Sequence, residues 1–335
     1  MKSIINIKNS ALVLMGLIMA SAVIGEEVYK APRLANGQPD FQGVWTNSSL
    51  TQLTRGRQFK SLILSKEDAA KIEAGRAAST KRALQPTDPN APAPSAGGVG
   101  GYNNFWLDPG SSFAQINGEY RTSWLVDPAN GQLPYSEKGK RIFNEQAAAF
   151  RNHVDNPEGR PMAERCIIGF GSTGGPPMIN VLYNNNYQIV QNDDAFMIQV
   201  EMNHDARIVR LNGEHLPKEM TPWLGDSIGK WEDDTLVVET TNFHPGEQLR
   251  LNFNQSFYLS KNAKVVERFT RTAEDILFYE FAVTDPDIYT KTWRAEMVFR
   301  KVDDNIFEYA CHEGNYALPG ILAGARKEEN DAAKK

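Results

Sequence analysis

From Tyr187 onward apolar and polar residues alternate, and β-branched and aromatic types dominate. A period of two is the signature of half-buried strands. In "VVERFTR", Val265, Glu267, Phe269 and Arg271 share one face, opposite Val266, Arg268 and Thr270. In "ILFYEFAVT", Leu277, Tyr279, Phe281 and Val283 oppose Phe278 and Glu280. In "KTWRAEMVFRKV", Trp293, Ala295, Met297 and Phe299 oppose Arg294, Glu296 and Arg300. Acidic turns separate the runs at Asn192-Asp193-Asp194, Glu232-Asp233-Asp234, Glu274-Asp275 and Asp303-Asp304-Asn305. Asp and Asn suit such turns because they tolerate left-handed backbone and bond their own main chain. The pattern predicts an antiparallel meander whose last strand is "IFEYACHE", with Cys311 on the face of Phe307 and Tyr309 and His312 on the other. A meander of about eight or more strands must hide its edges, by closing into a barrel or by stacking two sheets. The expectation is a mainly β fold with a lipocalin-like barrel over residues 161–325.

Residues 26–160 carry a different pattern and are expected to pack on the barrel as strands, two helices and loops. Ser65-Lys66-Glu67-Asp68 reads as a capping box that opens a surface helix to about Leu84. Ser136 caps a second helix to about Arg151. "NNFWLDPG" and "EYRTSWLVDPANGQLPY" each hold a short apolar run stopped by Asp-Pro, a strand followed by a turn. The Pro/Gly-rich stretch 86–101 has no apolar period and is expected to be a linker. "GFGSTGGPP", Gly169 to Pro177, is a glycine loop without the strand–loop–helix setting of a phosphate site. Residues 326–335 are expected to be a disordered tail.

Composition adds a compartment. Lys2 and Lys8, the apolar stretch Ala11 to Met19 and Ala20-Ser21-Ala22 read as a signal peptide over residues 1–25, which places the mature protein in the periplasm or outside the cell. The apolar run is shorter than the ~20 residues that span a bilayer, so no stable membrane insertion is expected after cleavage. The net charge of −5 is modest, its signs are interspersed, and no basic patch argues for nucleic acid. Cys166 and Cys311 are the two cysteines, and in an oxidising compartment they are expected to pair.

Charged residues recur at strand centres: Glu239, Glu267, Arg268, Glu280 and Arg294. On an outer face they are solvated ion pairs; in a lumen they are material for acid–base work. Of the five histidines, His204, His244 and His312 fall at or just past strand ends. On one barrel rim they could form a zinc-type site or a proton-transfer group. The cofactor-free reading is preferred, with zinc as its alternative. The candidate acids and bases are His204, His312, Glu201, Glu239, Glu267 and Glu280, and Arg268 or Arg294 is the candidate anion holder. Trp223, Asp226 and Trp231, in "TPWLGDSIGKWEDDTLVVETTNF", are candidate ligand contacts or the fabric of a tight turn and core. The glycine-loop Ser172 lacks the flanking strand and helix of a nucleophile elbow, which argues against a serine hydrolase there.

The segments "DFQGVW", "YNNFWLDPG", "RTSWLVDP", "WLGDSIGKWEDDTLVVETTNF", "VVERFTR" and "EYACHEGNY" together resemble a large group of exported bacterial proteins abundant in Proteobacteria and Acidobacteria. The resemblance covers nearly the whole mature chain, implies export and carries over no catalytic residue. Gly43-Val44-Trp45 also resembles the Gly-x-Trp start of lipocalins, which implies a barrel that receives a small molecule. The chain departs from lipocalins in its length and its helical, loop-rich N-terminal third. The expected partner is a small apolar or aromatic molecule held in the lumen. It would be transformed by lyase, isomerase or hydratase chemistry, or carried unchanged.

Overall fold

The computed structural model describes residues 29–86, 90, 107–252 and 255–334. The expected signal peptide and most of the expected 86–101 linker lie outside the described residues. Nine strands form a closed barrel: β1 (Gly43–Thr46), β2 (Asn186–Gln191), β3 (Ala195–Val200), β4 (Ala206–Leu211), β5 (Asp226–Glu232), β6 (Thr235–Thr241), β7 (Lys264–Arg271), β8 (Ile276–Thr284) and β9 (Trp293–Val302). Each pairs with the next in order, and β9 returns to β1 with Val44 opposite Val302. The barrel thus recruits its first strand, which carries the Gly-Val-Trp stretch, from well before residue 161.

All these pairings are antiparallel except β4 with β5, where Val209 lies opposite Ser227 in a parallel register. The meander is interrupted there. Parallel neighbours need a crossover of about a dozen residues, and the proline-containing segment 212–225 supplies it. Buried Asp226 anchors its return. Arg210 Nη1 lies at 2.8 Å, His215 Nδ1 at 2.8 Å, and the Leu216 N–H donates at 2.9 Å. Burial pushes this carboxyl upward, but these partners outweigh it and hold Asp226 below its ordinary range.

The predicted strand faces are realised. Val265, Glu267, Phe269 and Arg271 of β7 are buried, as are Leu277, Tyr279, Phe281 and Val283 of β8 and Trp293, Ala295, Met297 and Phe299 of β9. They meet Trp45, Tyr187, Phe196, Ile198 and Val200 from the other wall in one continuous core. Tyr279 stacks on Phe269 at 4.8 Å and meets Phe299 edge-on at 5.4 Å. Small barrels are filled by their own side chains, and this lumen is packed with bulky rings. The glycine loop is buried from Gly171 to Val181 and closes onto that core, where the Met178 N–H donates to the Tyr279 hydroxyl at 3.1 Å.

Outside the barrel, α1 (Lys66–Ala83) starts at Ser65, whose hydroxyl accepts from the Asp68 N–H at 3.1 Å. It buries only Ala69, as a polar surface helix should. Helix α2 (Glu137–Asn152) starts at Ser136, which accepts from the Gly139 N–H at 2.9 Å. A Cβ at Gly139 would stand 2.1 Å from the Ile288 carbonyl oxygen, so only glycine lets the helix sit this close to the barrel.

Two expectations fail at the C-terminus. Residues 303–316 form no strand, and helix α3 (Ala317–Ala332) occupies most of the expected tail. The first failure has a simple cause. The predicted tenth strand needs an edge, but β9 is already paired on its free side by β1. The segment instead lies outside the barrel, where side chains take its backbone groups. The Phe307 N–H donates to Glu201 Oε2 at 3.4 Å and the Tyr309 N–H to His204 Nε2 at 3.3 Å. The Cys166–Cys311 disulfide pins its far end, with Cα atoms 5.7 Å apart. Among the described residues no helix is long and apolar enough to cross a membrane.

Candidate functional site

The predicted site residues do not assemble. Glu267 alone of the strand-centre candidates points into the lumen, where it is fully buried and saturated. Its Oε2 lies 2.5 Å from Arg207 Nη2, and its Oε1 accepts from the Tyr279 hydroxyl at 2.6 Å. Burial and the adjacent Glu267 charge hold Tyr279 well above the ordinary tyrosine range, so the phenol stays a donor. Glu239, Glu280, Arg268 and Arg294 lie on the outer wall. Arg268 pairs with Glu232 at 3.0 Å and stands opposite Glu280 in register; Glu239 pairs with Lys264 at 3.3 Å; Arg294 is exposed. Charge on the inward face is therefore limited, among the described strand residues, to the Glu267–Arg207 pair and to Arg271, which lies over the Trp45 ring and donates to the Asp40 carbonyl at 2.8 Å. The outer charges are solvent-screened.

Glu201 and His204 act on the C-terminal segment, as described, and Glu201 also accepts from the Asn184 and Asn186 side chains at 2.7 and 3.0 Å. His312 is exposed in a turn. His244 caps the short turn Pro245–Glu247 through Nδ1, which accepts from the Gly246 N–H at 3.0 Å, and its ring packs on Trp223 at 3.8 Å. Trp231 meets Phe41 edge-on at 5.2 Å. The two tryptophans thus serve separate packing sites. Among the described residues no group of three or more His, Cys, Asp or Glu side chains is arranged to hold a metal ion, so the three histidines form no common centre.

A different carboxylate stands at a cleft. Helix α2, residues 158–163, the start of the glycine loop and residues 245–251 enclose about 340 Å³ beside the barrel. Phe150, Met162, Phe170, Leu249 and Leu251 supply apolar walls, Gln146, His153, Glu158, Arg160 and Gln248 supply polar ones, and Glu247 joins the lining from the turn that His244 caps. Glu247 is 8% exposed. Its Oε1 lies 3.4 Å from Arg250 Nη1, and its Oε2 has no partner among the described residues. Burial raises Glu247 to about 7; Arg250 opposes the rise and nearby Asp205 adds to it.

Arg250 is itself 1% exposed and is placed by the short ribbon that pairs Leu249–Arg250 with Phe257–Tyr258. Its Nη1 donates to the Gly175 carbonyl at 3.5 Å, while Nε and Nη2 have no partner among the described residues. Asp205 completes the cluster. It accepts from the Gly169 N–H at 2.7 Å, and burial raises it too, against these hydrogen bonds and the Arg250 charge. A buried carboxyl raised towards neutrality, with one oxygen free at a cleft, has the properties of a general acid or base.

Sequence reading passed over Glu247, Arg250 and Asp205. "HPGEQLRLNF" looks like a turn and a strand end. The one available signal was Arg250 between Leu249 and Leu251, a charge with apolar neighbours on both sides. Comparison with known proteins returns neither a matching family model nor a matching curated protein.

Proposed function

We propose that this is an exported, disulfide-locked protein that binds a small apolar or aromatic molecule in the Glu247 cleft and exchanges a proton with it. The carrying observation is the position of Glu247: a buried carboxyl, raised to about 7, with an oxygen free of partners among the described residues, at a cleft of about 340 Å³ with apolar and polar walls. The volume suits a ligand of one or two rings, within the lower range of small-molecule sites. The packed lumen moves the ligand from the barrel interior, where the lipocalin resemblance put it, to the barrel's flank. The reaction class that uses such a group without a cofactor is proton transfer at carbon or oxygen, as in an isomerase, lyase or hydratase. Glu247 would give or take the proton, and Arg250 would stabilise the carboxylate form. The Cys166–Cys311 bridge and the basic, apolar start of the chain support export.

The test uses N-phenyl-1-naphthylamine, a neutral dye whose fluorescence rises in apolar surroundings. It should bind the wild type, and Leu249→Trp, which fills the cleft, should abolish the signal. Proton exchange is then read with acetophenone in deuterated buffer. Methyl exchange above the buffer rate that disappears in Glu247→Gln supports the acid–base reading. Dye binding without exchange would leave a carrier, and dye binding indifferent to Leu249→Trp would remove the cleft from the account.

A further inference from the structure

The outer wall of the barrel holds a second, chemically opposite place. Residues 303–316 cross β1, β2 and β3 and leave a cleft on each side. One, of about 430 Å³, lies between Val44, Gln188 and Gln199 on the wall and Asn305, Ile306 and Glu308 of the crossing segment, with His204 at its edge. The other, of about 530 Å³, is lined by Asn184, Asn186, Tyr183, Tyr309 and Glu308 among others. Glu308 lines both, and neither shares a described residue with the Glu247 cleft.

We propose that these clefts form a binding site for a neutral polyhydroxylated ligand, a saccharide. Strand register places the amides side by side: Val44 is opposite Gln188 and Gln188 opposite Gln199, so the three form one row across the wall. The amides face outward because Tyr187, Ile189, Ile198 and Val200 take the lumenal positions. The side chains of Gln188, Gln199, Asn305 and Glu308 make no hydrogen bond or ion pair among the described residues. His204 adds a donor, because Nε2 accepts from the Tyr309 N–H and a neutral ring then carries its proton on Nδ1. Three free amides and one carboxylate line a single concavity, with the His204 ring at its edge. Hydroxyl groups, which donate and accept at once, match that set.

The other ligand classes fit less well. Among the described residues no Lys or Arg lines either cleft, and an anion would meet Glu308, Glu201 and Asp108. An apolar ligand would strip water from the free amides and return no hydrogen bond. Aromatic rings complete the match. Tyr183 and Tyr309 stack at 6.4 Å with planes 16° apart, and Phe307 is 62% exposed. Flat rings at the edge of a polar cleft offer a surface for the C–H face of a sugar.

The experiment titrates the full chain with maltotriose, cellotriose and triacetylchitotriose, read by saturation-transfer NMR and calorimetry, with spermidine as the cationic comparison. At least one trisaccharide should bind with a millimolar or tighter dissociation constant. The double variant Gln188→Ala/Gln199→Ala should weaken it about tenfold, the loss of one to two neutral hydrogen bonds. The same variant should bind N-phenyl-1-naphthylamine as the wild type does, which separates this site from the Glu247 cleft and reports an intact fold. The proposal is overturned if no trisaccharide binds up to about 10 mM, if the double variant binds undiminished, or if spermidine binds there and the sugars do not.

Discussion

Two buried glutamates lie on opposite sides of the barrel wall and meet opposite fates. Glu267, in the lumen, spends both oxygens, on Arg207 at 2.5 Å and on Tyr279 at 2.6 Å. Glu247, beside the wall, has one partner at 3.4 Å and an oxygen left over at a cleft. Burial alone therefore does not mark a reactive carboxyl. Saturation by partners turns a buried acid into architecture, and an incomplete set leaves it to titrate and to meet a ligand. The lumen is where lipocalin-like barrels suggest chemistry, yet there both Glu267 oxygens are bonded. Each arginine keeps two nitrogens without a partner among the described residues, so the difference lies in the carboxyls. The flank, built from irregular segments, holds the one with an oxygen to spare.

The sharpest way to break the contrast is to unfinish the lumenal pair. Arg207→Met removes the ionic partner of Glu267 and leaves it only the Tyr279 hydroxyl in a ring-packed core, and should cost about 3–5 kcal/mol of stability, read as a lower urea midpoint at unchanged slope. A cost near zero would mean the pair is not sealed from water. The same change distant from the cleft should leave the Glu247 titration in place in the folded fraction.

The next effect is the pH dependence. Glu247 is raised to about 7 in the folded protein, above its ordinary value. The folded state therefore holds this proton more tightly than the unfolded chain. The stability it contributes is full below the ordinary carboxyl range and is lost as pH rises through about 7. Asp205, also raised, adds in the same direction. Between about pH 5 and pH 8 the wild type should lose up to about 3 kcal/mol, and Glu247→Gln should flatten most of that slope in urea unfolding followed across pH. Tyr279→Phe should cost about 2–3 kcal/mol, because it removes the bond to Glu267 and the acceptor of the buried Met178 N–H. Smallest is Arg268→Ala on the outer wall, whose exposed pairing with Glu232 should contribute under about 1 kcal/mol and vanish in high salt.

What the sequence revealed and what it hid divide along the same line. Alternation in "VVERFTR", "ILFYEFAVT" and "KTWRAEMVFRKV" showed which residues face inward, because a strand's period of two is local. The Ser65 and Ser136 caps and the Cys166–Cys311 pair were legible for comparable reasons: short-range hydrogen bonds in one case, two thiols with one pairing in the other. The partnership of Glu267 with Arg207 spans 60 residues and depends on closure of the barrel, so no local pattern carries it. The last strand was misread for a related reason. "IFEYACHE" alternates well enough, but whether an alternating run becomes a strand depends on a free edge, and β1, from the far end of the chain, had taken it. The Glu247 cluster joins residues 169, 205, 247 and 250 through loops and short turns, where neither period nor cap gives a signal.

The central claim is that Glu247 is the buried carboxyl left free to exchange a proton. Carbon-13 NMR of the glutamate side-chain carboxyls, titrated in wild type and Glu247→Gln, addresses it directly. The account predicts one resonance that titrates near pH 7 and disappears in the variant. If the resonance lost in Glu247→Gln titrates in the ordinary range near 4.5, Glu247 is a paired, structural acid like Glu267 and the acid–base reading falls.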